Sequence, residues 1–163
     1  MSGQTIIRRA EMRDVGDIFD LIIERIEWMN KVGIRQWNTD GYLDAFPREY
    51  YEKNIGSFYI AEQDGKIVGA VALYESDERW PDGERAIYVH HLVTDLTARG
   101  AGRELLAFAE KEAMRRGMTK IRLDSEKGNE KLAKYYADSG YTELDEFCEG
   151  EYIGIRREKI ISQ

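Results

Sequence analysis

Residues 97–103, Thr97-Ala98-Arg99-Gly100-Ala101-Gly102-Arg103, lie between a strand-like apolar run at 87–93 and an amphipathic helix that starts near Gly102. The first N–H groups of a helix have no intrahelical partners and sit at the positive end of its dipole. Gly100 and Gly102 let an anion approach the main chain without a Cβ in the way. Arg99 and Arg103 add positive charge. The stretch suits a phosphate group, or it is only a turn. Upstream, His90 and His91 are the only histidines in the chain. Histidine titrates near neutrality, so either can serve as a general base or as a structural side chain. Alternation along a strand places Tyr88, His90 and Leu92 on one face and His91 on the other, which favours His90 as the base. Adjacent histidines on opposite faces make a poor metal site, and no Cys/His spacing supports zinc, so no metal is expected.

The elements that must position these groups follow from periodicity. Residues 5–9 alternate and read as a strand. Residues 14–31 repeat Val15, Ile18, Phe19, Ile22, Ile26 and Met29 at helical spacing behind Asp14, a candidate N-cap. Residues 38–41 form a loop, and Pro47 opens a short helix through Lys53. Strands at 57–63 and 66–74 flank Asp64-Gly65, a hairpin turn signal. A polar loop over 75–84 leads to a strand at 85–94. The helix from Gly102 carries Leu105, Leu106, Ala109 and Ala113 on one face and ends at Arg115-Arg116-Gly117. A strand at 119–124, a helix at 129–139 stopped by Gly140, and strands at 141–144 and 151–160 complete the chain. The order β-α-α-β-β-β-α-β-α-β-β, with no repeat, indicates one α/β domain over 1–163 with a mixed sheet.

Composition narrows the function classes. A chain of 163 residues, 42% apolar and 11% aromatic, can bury a core without staples. A net charge of −7 argues against a nucleic-acid surface and slightly favours a cationic partner. The single cysteine, Cys148, cannot form a disulfide within the chain and weakly favours a reducing compartment. No apolar run approaches a membrane span, and the N-terminus lacks a signal-peptide pattern. A cytoplasmic protein without membrane or nucleic-acid partners is expected, as a monomer or homodimer.

Three ordered motifs resemble the GNAT acyltransferase superfamily. Leu92-Val93-Thr94 resembles the end of the strand before that family's pyrophosphate loop. Residues 97–102 resemble its Gln/Arg-x-x-Gly-x-Gly/Ala loop, with Thr97 standing where Gln or Arg is usual. Asn129-x-x-Leu132-x-x-Tyr135-Tyr136-x-x-x-Gly140-Tyr141 resembles its Asn-to-Tyr helix and Gly-aromatic exit. The resemblance implies a central mixed, mostly antiparallel twisted sheet flanked by helices, and an N-acetyltransferase using acetyl-CoA as co-substrate on a primary amine, the expected acceptor being a small-molecule amine.

The same resemblance assigns candidate roles. Backbone around Arg99, Gly100, Ala101, Gly102 and Arg103 would receive the CoA pyrophosphate. Leu92, Val93 and Thr94 would offer a strand edge to the pantetheine arm. Asn129 would contact that arm, or simply cap its helix. Tyr136 would protonate the departing thiolate, since a phenol stays protonated at neutral pH. Neighbouring Tyr135 points about 100° away and is expected to pack. His90 would take the amine proton. Trp28, Trp37 and Tyr88 would line the acceptor pocket, with Tyr42 nearby. Asp145, Glu146, Glu149 and Glu151, between the last strands, would attract a cationic amine. The alternatives are a non-catalytic acyl-CoA-binding or regulatory module, and an acetyltransferase acting on a protein or peptide amine.

Overall fold

A computed structural model describes residues 4–33 and 41–161. Its centre is one seven-stranded sheet in the order β1-β2-β3-β4-β5-β7-β6. The strands are β1 (Ile6–Arg9), β2 (Phe58–Gln63), β3 (Lys66–Tyr74), β4 (Ile87–Thr94), β5 (Lys120–Glu126), β6 (Thr142–Glu149) and β7 (Tyr152–Ile160). Every neighbouring pair is antiparallel except β4 and β5, which run parallel. The helices are α1 (Val15–Val32), α2 (Tyr42–Ala45), α3 (Arg48–Lys53), α4 (Ala101–Arg115) and α5 (Glu130–Asp138). The sequence reading assigns no element to α2; its other helices and strands are present.

Two cores explain the layering. On one face Ile18 and Ile22 of α1 pack with Phe58, Ile60 and Ala70. On the other, Ala101, Leu105 and Ala109 of α4 pack with Val71, Ile87 and Leu123. The Asp64-Gly65 turn has φ of 53° and 77°, as a tight hairpin requires. Asp14 sits at the N-cap position of α1 without capping it. Its carboxylate instead accepts from the Arg8 guanidinium at 2.8 and 3.0 Å and from the Glu11 N–H at 2.7 Å.

Two departures from regular sheet geometry shape the molecule. First, β4 and β5 share register only at Ile87–Ile121 and Tyr88–Arg122, then separate while both continue. Second, the β3–β4 register slips between Ala70 and Ala72, opposite a kink where His91 has φ 52°. This bulge corrects the expected alternation. Ile87, Val89 and Leu92 face the α4 core, whereas His91 and Val93 face the α1 side. Leu92 is therefore not on the face of His90, and the His90 and His91 rings lie 5.9 Å apart. One extra residue in a strand reverses the facing of everything after it.

Candidate active site

The gap between β4 and β5 holds a cavity of about 950 Å³. At one end lies the start of α4. Gly100, with φ 79°, forms its N-cap and leaves open space where a Cβ would stand. A Cβ on Gly102 would lie 3.1 Å from the Tyr135 hydroxyl, so glycine lets α4 and α5 approach across the cavity floor. Gly100, Gly102 and Arg103 line this end. Arg99 and Ala101 do not: Ala101 is buried in the α4 core and the Arg99 side chain is exposed. The Thr97 N–H and hydroxyl both donate to Asp95 Oδ1, at 2.9 and 2.7 Å. Its side chain thus closes the turn, which a longer Gln or Arg could not do so compactly.

The walls come from Leu92, Val93 and Thr94 of β4 and from Asn129, Leu132, Tyr135 and Tyr136 on the α5 side. Asn129 caps α5, its Oδ1 accepting from the Leu132 N–H at 3.1 Å, and still borders the cavity. Both tyrosines line the cavity, and Tyr135 also packs against the α4-side core as expected. Burial raises the Tyr136 phenol above its ordinary range, with Tyr135 and Asp124 adding to the effect. It is therefore protonated at neutral pH.

At the other end His90 Nε2 meets Asp77 Oδ2 at 2.6 Å. Burial pushes the Asp77 carboxyl up, but contact with His90 outweighs it and leaves the carboxyl below its usual range. Asp77 and Arg79 arrive on the β3–β4 loop. That loop is anchored where Trp80 lies against the Arg122 guanidinium at 4.4 Å, with Arg122 paired to Asp82 and Glu84. Arg79 bonds Glu149 at 2.9 and 3.0 Å and approaches Asp124 at 3.5 Å. His91 is enclosed by Phe46, Tyr50, Tyr51 and Phe58. It bonds the Tyr42 and Tyr50 hydroxyls, and burial drives its imidazole well below the ordinary histidine range. A neutral, doubly bonded ring makes His91 a structural part of the wall, while His90 lines the cavity beside Asp77.

Other expectations change. Trp28 lines the cavity; Trp37 lies outside the described residues. Tyr88 does not reach the cavity: it packs on Trp80 and its hydroxyl bonds Glu84 O and Arg122 at 2.9 and 3.1 Å. Asp145, Glu146 and Glu149 belong to β6 rather than a loop, and each is ion-paired, to Arg156, Lys127 and Arg79. Asp145 and Glu146 lie outside the cavity lining, whereas Glu149 and Glu151, the latter exposed in the β6–β7 turn, both border the cavity. Cys148 is exposed and outside the cavity wall. The sequence reading misses Asp77, Arg79, Phe46 and Arg25, all near the cavity. Arg25 leaves one trace, a cation beside the apolar stripe of α1. Asp77 leaves none, because nothing local marks which loop carboxylate meets His90. Among the described residues no three potential metal ligands gather, and no helix is long and apolar enough to cross a membrane.

The family model described as acetyltransferase (GNAT) family matches residues 23–141. The uncharacterized N-acetyltransferase YesJ of Bacillus subtilis is 25% identical over 155 residues, 88% of this chain and 85% of that protein. An amino-acid acetyltransferase of Vibrio atlanticus is 35% identical over 78 residues, 48% of this chain but 15% of that longer protein. A solved GNAT acetyltransferase from Listeria monocytogenes superposes with a TM-score of 0.78 at 22% identity, covering 96% of this chain and 95% of that one. PaiA N-acetyltransferase from Thermoplasma acidophilum, solved with coenzyme A, gives 0.76 at 19% identity, covering 96% and 99%.

Proposed function

Because the chain belongs to the GNAT acetyltransferase family, we propose that it moves an acetyl group from acetyl-CoA to a primary amine of a small molecule, by direct attack with both substrates bound. The observation that carries this reading is the opening between β4 and β5, lined at once by a glycine-rich helix start, Tyr136 and His90. The donor fits these residues. Free N–H groups at the start of α4 suit a pyrophosphate. The β4 edge beyond Tyr88 has no β5 partner, so its peptide groups suit the amides of a pantetheine arm. The side-chain amide nitrogen of Asn129, Nδ2, is a donor for the same arm. The amino-acid acetyltransferases among its relatives favour a small amine acceptor.

The residues divide the proton work. An alkylammonium, with a pKa near 10.4, must lose a proton before its lone pair can attack the thioester carbon. His90, oriented by Asp77, takes that proton. The N–C bond forms and the C–S bond breaks. Tyr136 gives its phenolic proton to the departing sulfur and regains one from solvent. The ammonium nitrogen loses two protons and the thiol gains one, so one proton is released per turnover.

A thiol-release assay over amino acids, polyamines and aminoglycosides tests the activity, with the N-acetyl product confirmed by mass. Tyr136→Phe is expected to lower kcat about 100-fold or more, the scale of a lost general acid, while acetyl-CoA affinity holds. Tight acetyl-CoA binding with no thiol release from any amine would instead identify a non-catalytic binding module.

A further inference from the structure

Arg25 has no role in the chemistry above, yet it faces the same cavity. It projects from α1, stacks over Trp28 with its guanidinium carbon 5.1 Å from the ring, and is half-buried. Its Nη2 donates to Thr94 O at 2.9 Å and to Thr94 Oγ1 at 3.3 Å. Among the described residues it forms no ion pair. The charge that acts on it, Asp95, is already held by Lys66 at 3.3 Å and by Thr97. Burial lowers its affinity for a proton, the mark of a cation taken from water without full compensation. Two hydrogen bonds and a stacked ring fix the plane of the guanidinium and leave further N–H groups for a ligand. The pyrophosphate end of the cavity has a cation of its own in Arg103.

We infer that Arg25 binds a carboxylate carried by the acceptor, so that the substrate is an amino acid acetylated on a terminal amine several bonds from its carboxylate. This rests on the transferase reading with His90 as base. The spacing argues for the distant amine. Thr94 lies four residues beyond His90, which the bulge at His91 shortens to three residues of the facing strand β3, roughly 10 Å. An α-amino acid, with both groups on one carbon, is too short to meet His90 and the guanidinium together. A five- or six-carbon terminal amine, helped by the reach of both side chains, spans them. Trp28 and Phe46 offer apolar wall to the methylenes between.

The test is a ladder of unbranched amino acids from glycine to 6-aminohexanoate, each beside the amine of equal length without the carboxylate. Thiol release is measured for the wild type, Arg25→Gln and Arg25→Lys, with acetyl-CoA affinity measured alongside. For the wild type the carboxylate should raise kcat/KM about 10- to 100-fold at five and six carbons, the scale of a charged hydrogen bond, and not at glycine. Arg25→Gln should collapse that ratio. Arg25→Lys, which keeps the charge, should retain part of it and decides the matter if the glutamine variant does not fold. The proposal is overturned if the carboxylate gives no advantage at any length, if the advantage peaks at glycine, or if it survives in Arg25→Gln. It is also overturned if acetyl-CoA affinity falls in step with the acceptor effect, because the guanidinium would then serve the donor. Calorimetric titration of the CoA complex with the N-acetyl products makes the same comparison without turnover. A chain that acetylates no amine would therefore refute the transferase reading, while this titration still judges the carboxylate site.

Discussion

Asp77 and His90 sit 13 positions apart and meet because the β3–β4 loop folds back over the end of its own hairpin. The carboxylate fixes the imidazole ring through Nε2. In the proposed reaction Asp77 is a positioning residue, acting through His90, whose other ring nitrogen, Nδ1, would face the substrate. Asp77→Asn is expected to lower kcat by about 10- to 100-fold, part of the roughly 100-fold or more that a general base contributes, with the acetyl-CoA KM unchanged. Asp77→Glu should recover part of the loss, as only a restored carboxylate would. Equal losses in both variants, or a matching rise in the acetyl-CoA KM, would show that the loop merely needs Asp77 to fold. Residue by residue, the sequence revealed the groups set in local motifs, such as Gly100, Gly102, Asn129 and Tyr136. It hid those brought together by distant chain, such as Asp77 and Arg25.

Helices and strands were legible where caps and periodicity agreed. Gly100, Gly117 and Gly140 stand at helix ends with φ of 79°, 80° and 96°, and the order of elements followed from such stops. Facing along β4 was not legible, because period two assumes an unbroken ladder and the bulge at His91 breaks it. The placing of Tyr88 failed for another reason: its strand position is right, but Trp80 and Arg122 occupy the space beside it. Contact between β3 and α4 gives a prediction at this scale. A Cβ on Gly69 would lie 2.9 Å from Leu105 Cδ1 and 3.3 Å from Val93 O. Gly69→Ala should therefore destabilise by about 1–3 kcal/mol, as overpacking does, and lower the melting temperature. Adding Leu105→Val should restore part of it, whereas a neutral Gly69→Ala would mean that α4 shifts freely on the sheet.

Across the whole molecule, electrostatic ties join elements that the sheet alone does not. Glu112 on α4 accepts from Arg115 and Arg116, and Arg116 also reaches Glu75 and the Tyr59 hydroxyl. The bond from Arg115, aided by Arg116, lowers the Glu112 carboxyl to about 2. A carboxyl held below its unfolded value, near 4.3, stabilises fully above that pH and loses its contribution as pH falls toward about 2. Urea midpoints should thus fall between pH 5 and pH 3 in the wild type and fall less in Glu112→Gln; identical slopes would remove Glu112 from the account. The parting of β4 from β5 has a different consequence. Beyond Tyr88 the sheet is two fabrics, β1 to β4 and β5 to β7, with a seam that no β4–β5 pairing closes, Thr94 O on its β4 side being held by Arg25. An amide-bearing ligand laid in that seam supplies the absent thread. The amides along it would then exchange with solvent on a schedule set by how long the ligand stays, and the cooperativity of the sheet would belong to the complex.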